Sequence, residues 1–258
     1  MRSRPIIAYD NVLARDPAPT ITHSADAAGF PFANISDWRD YTKWKSSDTG
    51  ELFVKIDAGA GGAVAASVLA LAGHNLASAG VAGIVLSYSD DDISYADCFS
   101  PATPAKDGLF MKKFPEVSAR FLKFIIPAGY SGTPEVGVLY IGPALEIPAY
   151  PGPGFDPDRR SVETAAEHGR TGRLLGIAEG YVKRGLSASF SRLPPSFIDE
   201  GFLPFFEAHG ALPFFFDWDP DSGGERADLV RLDAPKVEAA YDGPFRKLDL
   251  ALVGAGGY

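Results

Sequence analysis

The sequence contains very little cysteine. Cys98 is the only thiol among 258 residues, which excludes an internal disulfide and a zinc site built from several thiolates. A single cysteine also fits folding in a reducing compartment. The histidines share no metal-ligand spacing with one another or with Cys98; they are His23, His74, His168 and His209. We therefore expect no metal site and no cofactor.

Long apolar runs are missing too. The longest, Ala63 to Ala72, is far shorter than the roughly 20 residues that a membrane-spanning helix needs. The N-terminal segment MRSRPIIAYDN lacks the apolar core of a secretory signal peptide. These absences predict a chain that is made in the cytoplasm without a signal peptide and that does not insert into a membrane.

An excess of positive charge is also absent. The chain carries 24 basic and 33 acidic residues, a net charge of -9. Residues 1–150 hold 12 basic and 16 acidic residues, and residues 151–258 hold 12 and 17, so both halves are acidic. Nucleic-acid binding needs a basic face, and we expect no nucleic-acid partner.

Signatures of catalysis are lacking as well. No Gly-x-Ser-x-Gly nucleophile motif is present. The glycine-rich segment 57–64 lacks the third glycine of a dinucleotide loop and runs into a strand-like pattern. The acidic turn 217–228 has Ser222 and Asp228 where a calcium loop needs glycine and glutamate. We expect no enzyme, although a hydrolase whose two carboxylates come from distant strands remains an alternative.

Short strands with intervening turns dominate the first half. Alternating or continuous apolar residues predict strands, which are 51–57, 67–72, 81–88, 120–126 and 136–141. Helical periodicity is weak, and turn residues recur at short intervals. This pattern predicts an antiparallel β-sandwich, preceded by an irregular N-terminal arm over residues 1–30.

The order of short motifs in this half points to a family. An Asn34-Ile-Ser-Asp37 entry is followed by Trp44, by a strand ending in Ile56-Asp57, and by Leu71-Ala-Gly-His-Asn-Leu76. Leu86-Ser-Tyr-Ser-Asp-Asp91 and Arg120-Phe-Leu-Lys-Phe124 come next. Over residues 30–147 this order resembles the discoidin-like, or galactose-binding-like, jelly roll. The resemblance implies a binding or packing module whose ligands, where any bind, lie in the loops at one end.

A proline- and glycine-rich segment, residues 148–158, separates the two halves. Its prolines cannot continue a helix or a central strand, so we predict a linker between residues 1–147 and 159–258. The second half predicts strands at 162–168, 174–190, 212–218, 228–233 and 245–253. A helix is predicted over Phe197–Glu207, capped by Ser196 and kinked or split at Pro204. The fold class is therefore mainly β: a jelly-roll sandwich plus a smaller β-rich α+β domain with one kinked helix.

The second half has an unusual aromatic passage. Strands and one helix precede Pro213-Phe-Phe-Phe-Asp-Trp-Asp-Pro220, and a closing strand follows. Over residues 159–253 this order resembles the small domains of bacteriophage tail-tip and distal tail proteins. The resemblance implies a ring-like homo-oligomer, other tail proteins as partners, and a place in the virion.

Two sets of residues are candidates for contact with other molecules. A glycan could stack on the aromatic rings and hydrogen-bond the polar groups of a loop cluster: Trp38, Tyr41, Trp44, Asn34 and Arg39. The alternative is that these aromatics fill the base of the jelly roll. A subunit interface is predicted at Phe202, Phe205, Phe206, Arg159 and Arg160, because Phe is enriched at such interfaces.

The leading prediction is a non-enzymatic structural component of a phage tail tip or baseplate that also contacts the host surface. A carbohydrate-binding module of a surface-binding protein is the alternative. The expected partners are other copies of the chain, other tail proteins and a cell-surface glycan.

Overall fold

The computed structural model describes residues 2–168, 170–171, 173–224, 226–234 and 238–255. Its strands, in chain order, are β1 (Ile6–Ala8), β2 (Thr20–His23), β3 (Trp44–Lys45), β4 (Leu52–Asp57), β5 (Val64–His74), β6 (Val85–Ser89), β7 (Ala96–Asp97), β8 (Gly108–Ala119), β9 (Phe121–Ile126), β10 (Glu135–Val136), β11 (Val138–Gly142), β12 (Leu145–Glu146), β13 (Arg160–His168), β14 (Leu174–Leu193), β15 (Phe214–Asp217), β16 (Ala227–Leu232), β17 (Glu238–Asp242) and β18 (Phe245–Gly254). A π-helical turn (Phe197–Phe202) leads into the helix α1 (Leu203–His209). Short 3-10 helices lie at Val12–Ala14, Phe32–Ser36 and Pro220–Ser222.

The predicted fold class, mainly β with antiparallel sheets and one interrupted helix, is confirmed. The strands pair antiparallel, as β1 with β12, β11 with β5, and β4 with β9 show. Pro204 lies in the first turn of α1, directly after the π-helical turn, because proline is tolerated there and not in a helix interior. The predicted Ser196 cap is wrong, since its side chain makes no capping hydrogen bond.

The chain forms two compact units. The first comprises the residues up to Pro148 together with Leu212–Leu229, and the second comprises Ala149–Ala211 and Val230–Ala255. Residues 147–159 contain no helix or strand, in agreement with the proline and glycine content of this segment.

The first unit contains a β-sandwich. One sheet has the strand order β11-β5-β8 and the other β2-β4-β9-β6-β7. Buried and partly buried side chains alternate along β4, so one face of the strand points into the sandwich. Leu52, Val54 and Ile56 of this face belong to a buried cluster. The same cluster includes Leu69 and Leu71 of β5. Burial of such side chains stabilises the fold by about 1.5–3 kcal/mol each.

A third sheet of this unit corrects the predicted domain division. β1 lies between β12 and β15, with Ile7 opposite Leu145 on one side and Phe216 on the other. Strands from both sides of residue 150 therefore share one sheet, and the segment 212–229 belongs to the first unit rather than to a C-terminal domain. The physical reason is that β15, which is buried at every position, obtains its backbone partners from β1.

Two strands in different sheets, β1 and β2, correct the expectation of an irregular arm over residues 1–30. Ile6, Ile7 and Ala8 are fully buried in β1, and β2 pairs with β4. A three-residue buried strand is too short to produce a periodic pattern, which is why the sequence did not reveal it.

The second unit is built around β14 and β18. Gly185 to Leu193 of β14 pair with β18, whereas the earlier part of β14 pairs with β13. β17 and the end of β16 also pair with β18. Phe202 and Phe205 pack edge-to-face in the helical segment, with ring centroids 5.5 Å apart.

Candidate functional site

Two of the five predicted glycan-binding residues are buried, which corrects their assignment. Trp44 is 1% exposed, and its ring meets the edges of His23 and Phe32 while its Nε1 donates to Asp26 Oδ1 at 3.0 Å. Trp38 is 9% exposed. Neither ring has a free face for a sugar, so the alternative that these aromatics fill the core is the one the structure supports.

The contacts of Trp38 explain its burial. Its ring centroid lies 6.2 Å from that of Tyr140 and 6.0 Å from that of Phe215. The Trp38 backbone has a φ of 61°, a left-handed conformation that non-glycine residues seldom adopt. This turn directs the following residues, Arg39 to Lys43, back toward the end of β5.

The remaining three residues have different surroundings. Asn34 donates through Nδ2 to the Lys43 carbonyl at 2.8 Å, which fixes the loop between them. Arg39 is exposed. Tyr41 has 73% of its surface exposed, and it is the member of the predicted set that can offer an aromatic ring to a ligand.

Tyr41 borders an open cleft of about 490 Å³ at one end of the sandwich. β5 ends and β8 begins there, and the loop 40–43 and β10 form the sides. The lining residues are Asp40, Tyr41, Lys43, Gly73, His74, Asn75, Asp107, Gly108 and Glu135. The cleft therefore combines one exposed aromatic ring with charged, amide and imidazole groups.

Gly73 allows the loop to approach β5 this closely. Its φ is +59°, and a Cβ on it would lie 2.2 Å from the Asp40 carbonyl oxygen. Lys43 Nζ donates to the carbonyls of Asp40 and Gly73, the latter at 2.5 Å. Burial lowers the pKa of Lys43. The Lys43 ammonium group therefore holds the loop 40–43 against the end of β5 through these two hydrogen bonds.

Other polar groups of the cleft are held in place by their neighbours. Asn75 Nδ2 donates to the Thr133 carbonyl at 3.0 Å, and Asn75 Oδ1 accepts from the Glu135 backbone N–H at 2.7 Å. Asp107 Oδ1 accepts from the Ser78 N–H at 3.0 Å. Lys45 Nζ lies 2.6 Å from Glu135 Oε1. Fixed groups of this kind lose little conformational entropy when a ligand binds.

His74 is the most deeply buried polar side chain of the cleft, with 4% of its surface exposed. Its Nδ1 accepts from the Leu76 N–H at 3.3 Å, a local hydrogen bond within the turn after β5. Nε2 has no hydrogen-bond partner within the part of the chain that the structure describes. Burial lowers the pKa of His74 to about 4, against the opposing effects of Asp107 and the Leu109 carbonyl. The ring is thus neutral at pH 7.

The sequence did not single out the polar groups of this cleft. No local pattern assigns His74, Asn75, Lys43, Asp107 or Glu135 to a binding site. His74 and Asn75 follow the predicted strand 67–72 and Glu135 precedes the predicted strand 136–141, but Lys43 and Asp107 border no predicted strand. Their proximity depends on how separate loops meet, which no local pattern records.

The predicted subunit-interface residues also separate into two groups. Phe202 and Phe205 are 1% and 0% exposed, so they form core contacts in the second unit and are not available to a partner. Phe206 is half-buried, and Arg159 and Arg160 are exposed. The prediction of a subunit interface is therefore wrong for Phe202 and Phe205, because their rings are buried and pack on each other.

The acidic turn 217–223 has internal partners. Arg2 pairs with Asp219, and Asp221 Oδ2 accepts from the Ser3 N–H at 2.7 Å. Glu225 lies outside the described residues. Among the residues that the structure describes, no three His, Cys, Asp or Glu side chains converge in a way that could hold a metal ion, and no described helix is long and apolar enough to cross a membrane.

Comparison with known proteins gives low similarities. No protein-family model and no curated protein matches the chain. A CBM32 module from a family 31 glycoside hydrolase of Clostridium perfringens is 17% identical, over 52% of this chain and 98% of that one, with a TM-score of 0.40. A chitosan-binding module from a Paenibacillus chitosanase/glucanase is 14% identical, over 52% and 98%, with a TM-score of 0.40.

A Ruminococcus gnavus GH29 fucosidase, solved in complex with fucose, is 16% identical over 52% of this chain and 26% of the enzyme, with a TM-score of 0.43. The similarity to each of these structures extends over about half of the present chain. At these identities and TM-scores, none of them assigns the chain to a family.

Proposed function

We propose that the first unit is a non-catalytic carbohydrate-binding module and that the Tyr41 cleft is its binding site. The observation that carries this proposal is the exposed Tyr41 ring at the border of a cleft with fixed hydrogen-bonding groups. Sugars present an apolar face that packs on aromatic rings and hydroxyls that exchange hydrogen bonds with carboxylates and amides. An amphipathic tyrosine beside Asn75, Asp107 and Glu135 matches both features.

The test is a binding screen of the whole chain against neutral, amino and acidic oligosaccharides by calorimetry. Tyr41→Ala is expected to weaken the binding of a hit about tenfold or more, the equivalent of about 1.4 kcal/mol. Tyr241, which is 82% exposed in the second unit, provides the matched control. Tyr241→Ala is expected to leave the affinity unchanged.

Two outcomes would reject this proposal. One is the absence of saturable binding across the panel. The other is binding that Tyr41→Ala and Tyr241→Ala weaken equally, because a site elsewhere on the chain would then be responsible. Thermal unfolding of both variants shows whether a loss of binding reflects a loss of folded protein.

A second candidate function is that of a structural component of a phage tail tip or baseplate, located in the virion and in contact with other tail proteins. Such a component needs surfaces for its neighbours, and the exposed apolar hairpin of the second unit is a surface of the kind that marks interaction sites. Val162 and Val182 of this hairpin are 56% and 60% exposed. Mass spectrometry of purified particles tests this candidate, and absence of the chain from the particle would reject it.

A further inference from the structure

The strand β14 has two parts that pair with different neighbouring strands. Gly185–Leu193 have β18 as a neighbour. The part from Leu174 to Arg184 pairs with β13, and β13 is the last strand of its sheet. In the described part of the chain, β13 and this part of β14 thus form a two-stranded hairpin without a third strand. We call residues 159–184 the arm, since the Arg159 carbonyl also accepts a hydrogen bond from the Gly185 N–H, at 3.3 Å.

The arm exposes apolar side chains. Val162 and Val182 are directly opposite each other in the ladder, and they are 56% and 60% exposed. Leu174 and Leu175, near the tip, are 48% and 67% exposed. A two-stranded hairpin is marginally stable in water without additional packing, so an apolar arm of this length gains stability when another surface covers it.

The arm is also basic, whereas the rest of the chain is acidic. Residues 159–184 contain six basic residues (Arg159, Arg160, Arg170, Arg173, Lys183 and Arg184) and three acidic ones (Glu163, Glu167 and Glu179), a net charge of +3. Since the whole chain carries -9, the other residues carry -9 minus +3, or -12. Arg159, Arg160, Arg170 and Arg173 are exposed.

We propose that the arm docks on a second copy of this chain, at a surface outside that copy's own arm, where the net charge is -12. Opposite charges attract the two copies and set their orientation, and the exposed valines and leucines lose water on contact. The charge of -12 outside the arm disfavours a polyanion such as nucleic acid as the occupant. The inference does not depend on what the Tyr41 cleft binds.

The symmetry of this contact follows from its two sides. The arm and the surface that accepts it, which lies outside the arm, are different parts of one chain, so each copy donates an arm to one neighbour and accepts an arm from another. Such a heterologous contact closes into a ring or continues as an open filament. An assembly larger than a dimer is therefore expected.

The test is sedimentation of the full chain at about 0.02 M and about 1 M salt, where the Debye length falls to about 3 Å. Assembly at low salt and monomers at high salt are expected. The charge-reversed pair Arg160→Glu with Arg173→Glu is expected to be monomeric at low salt. Arg4→Glu with Lys106→Glu changes the charge equally at exposed positions in the first unit and is expected to remain assembled.

A second variant pair keeps the experiment decisive if the charge-reversed arm does not fold. Val162→Thr with Val182→Thr keeps the β-branched shape and removes apolar surface, and it is expected to raise the dissociation constant at least several-fold. Monomeric wild-type chain at low salt and about 100 µM, well above a micromolar dissociation constant, would overturn the proposal. So would an assembly that both arm variants leave unchanged.

Discussion

The two longest ladders of the molecule differ in whether a second layer of side chains packs over them. β5 and β8 of the first unit pair over most of their length, and nearly every residue of β5 is buried. β13 and β14 of the second unit pair over a similar length, yet Val162 and Val182 remain more than half exposed. Both ladders pair their two strands antiparallel. What distinguishes them is a second layer of side chains, which the sandwich supplies to β5.

The difference shows that one ladder stabilises the folded chain, whereas the other offers a surface for association. A covered ladder contributes apolar burial to folding, whereas an exposed one offers its apolar surface to a partner. Substitutions in the first ladder should therefore change the free energy of unfolding, and those in the arm should change association.

The largest expected effect comes from the covered ladder. Leu71→Ala removes a fully buried side chain of β5 from the sandwich core, and we expect a loss of about 2–5 kcal/mol in the free energy of unfolding. Val182→Ala in the arm is the matched control and should cost about 0.5 kcal/mol or less. Urea denaturation measures both, and equal losses would show that the arm is covered in the free chain.

A buried carboxyl group provides the next test. Burial, reinforced by the Asp219 and Asp228 carboxylates, raises the pKa of Asp217 to about 6 from 3.8, against the Asp219 N–H that donates to its Oδ1. The folded state therefore holds this proton up to a higher pH than the unfolded state. Its contribution to stability is present below about pH 4 and is lost as the pH rises to about 6.

The size of this effect is about 3 kcal/mol, from a shift of about two pKa units. Asp217→Asn removes the titration, so the stability of the variant relative to the wild type should increase between pH 4 and pH 7. Parallel stability curves for the two proteins would contradict the assignment. Denaturation at several pH values measures the difference.

A smaller effect is expected at the free edge of the covered sheet. Asn11 is 3% exposed, donates through Nδ2 to the Leu139 carbonyl at 2.7 Å and accepts from the Ile141 N–H at 3.3 Å. Its amide thus takes the place of a neighbouring strand beside β11. Asn11→Ala leaves these backbone groups unpaired and should cost about 1–3 kcal/mol.

Asn34→Ala is the matched control for this substitution. Asn34 donates one bond, to the Lys43 carbonyl, from a partly buried position, where water can replace the lost partner. Its loss in stability is expected to be smaller. If Asn34→Ala costs as much as Asn11→Ala, then burial of the amide is not what makes Asn11 important.

The local patterns of the sequence identified several elements well. Alternation in 51–57 and 120–126 predicted β4 and β9, whose inward residues do enter the core. Pro204 predicted the interruption of the helix. β8 was missed, because its sequence includes a lysine pair and Pro115 at an irregularity of the ladder, where proline is tolerated.

The candidate site was predicted only in part. The aromatic cluster at 38–44 indicated the correct loop, but the sequence could not tell the exposed Tyr41 from the buried Trp38 and Trp44. Aromatic residues are equally suited to cores and to binding surfaces. Which of the two applies depends on side chains from elsewhere in the chain, such as Phe215 against Trp38.

The sequence by itself determined a mainly β chain without disulfides, an interrupted helix, and a segment around residue 150 that contains no helix or strand. Each of these follows from local residue types and their spacing. Only the tertiary structure decided that Phe216 lies opposite Ile7, that Asp107 and Glu135 border the same cleft, and that Val162 and Val182 of the arm are more than half exposed. A local pattern shows which face of a strand is apolar, but the choice of partner is a competition among distant segments that the complete fold resolves.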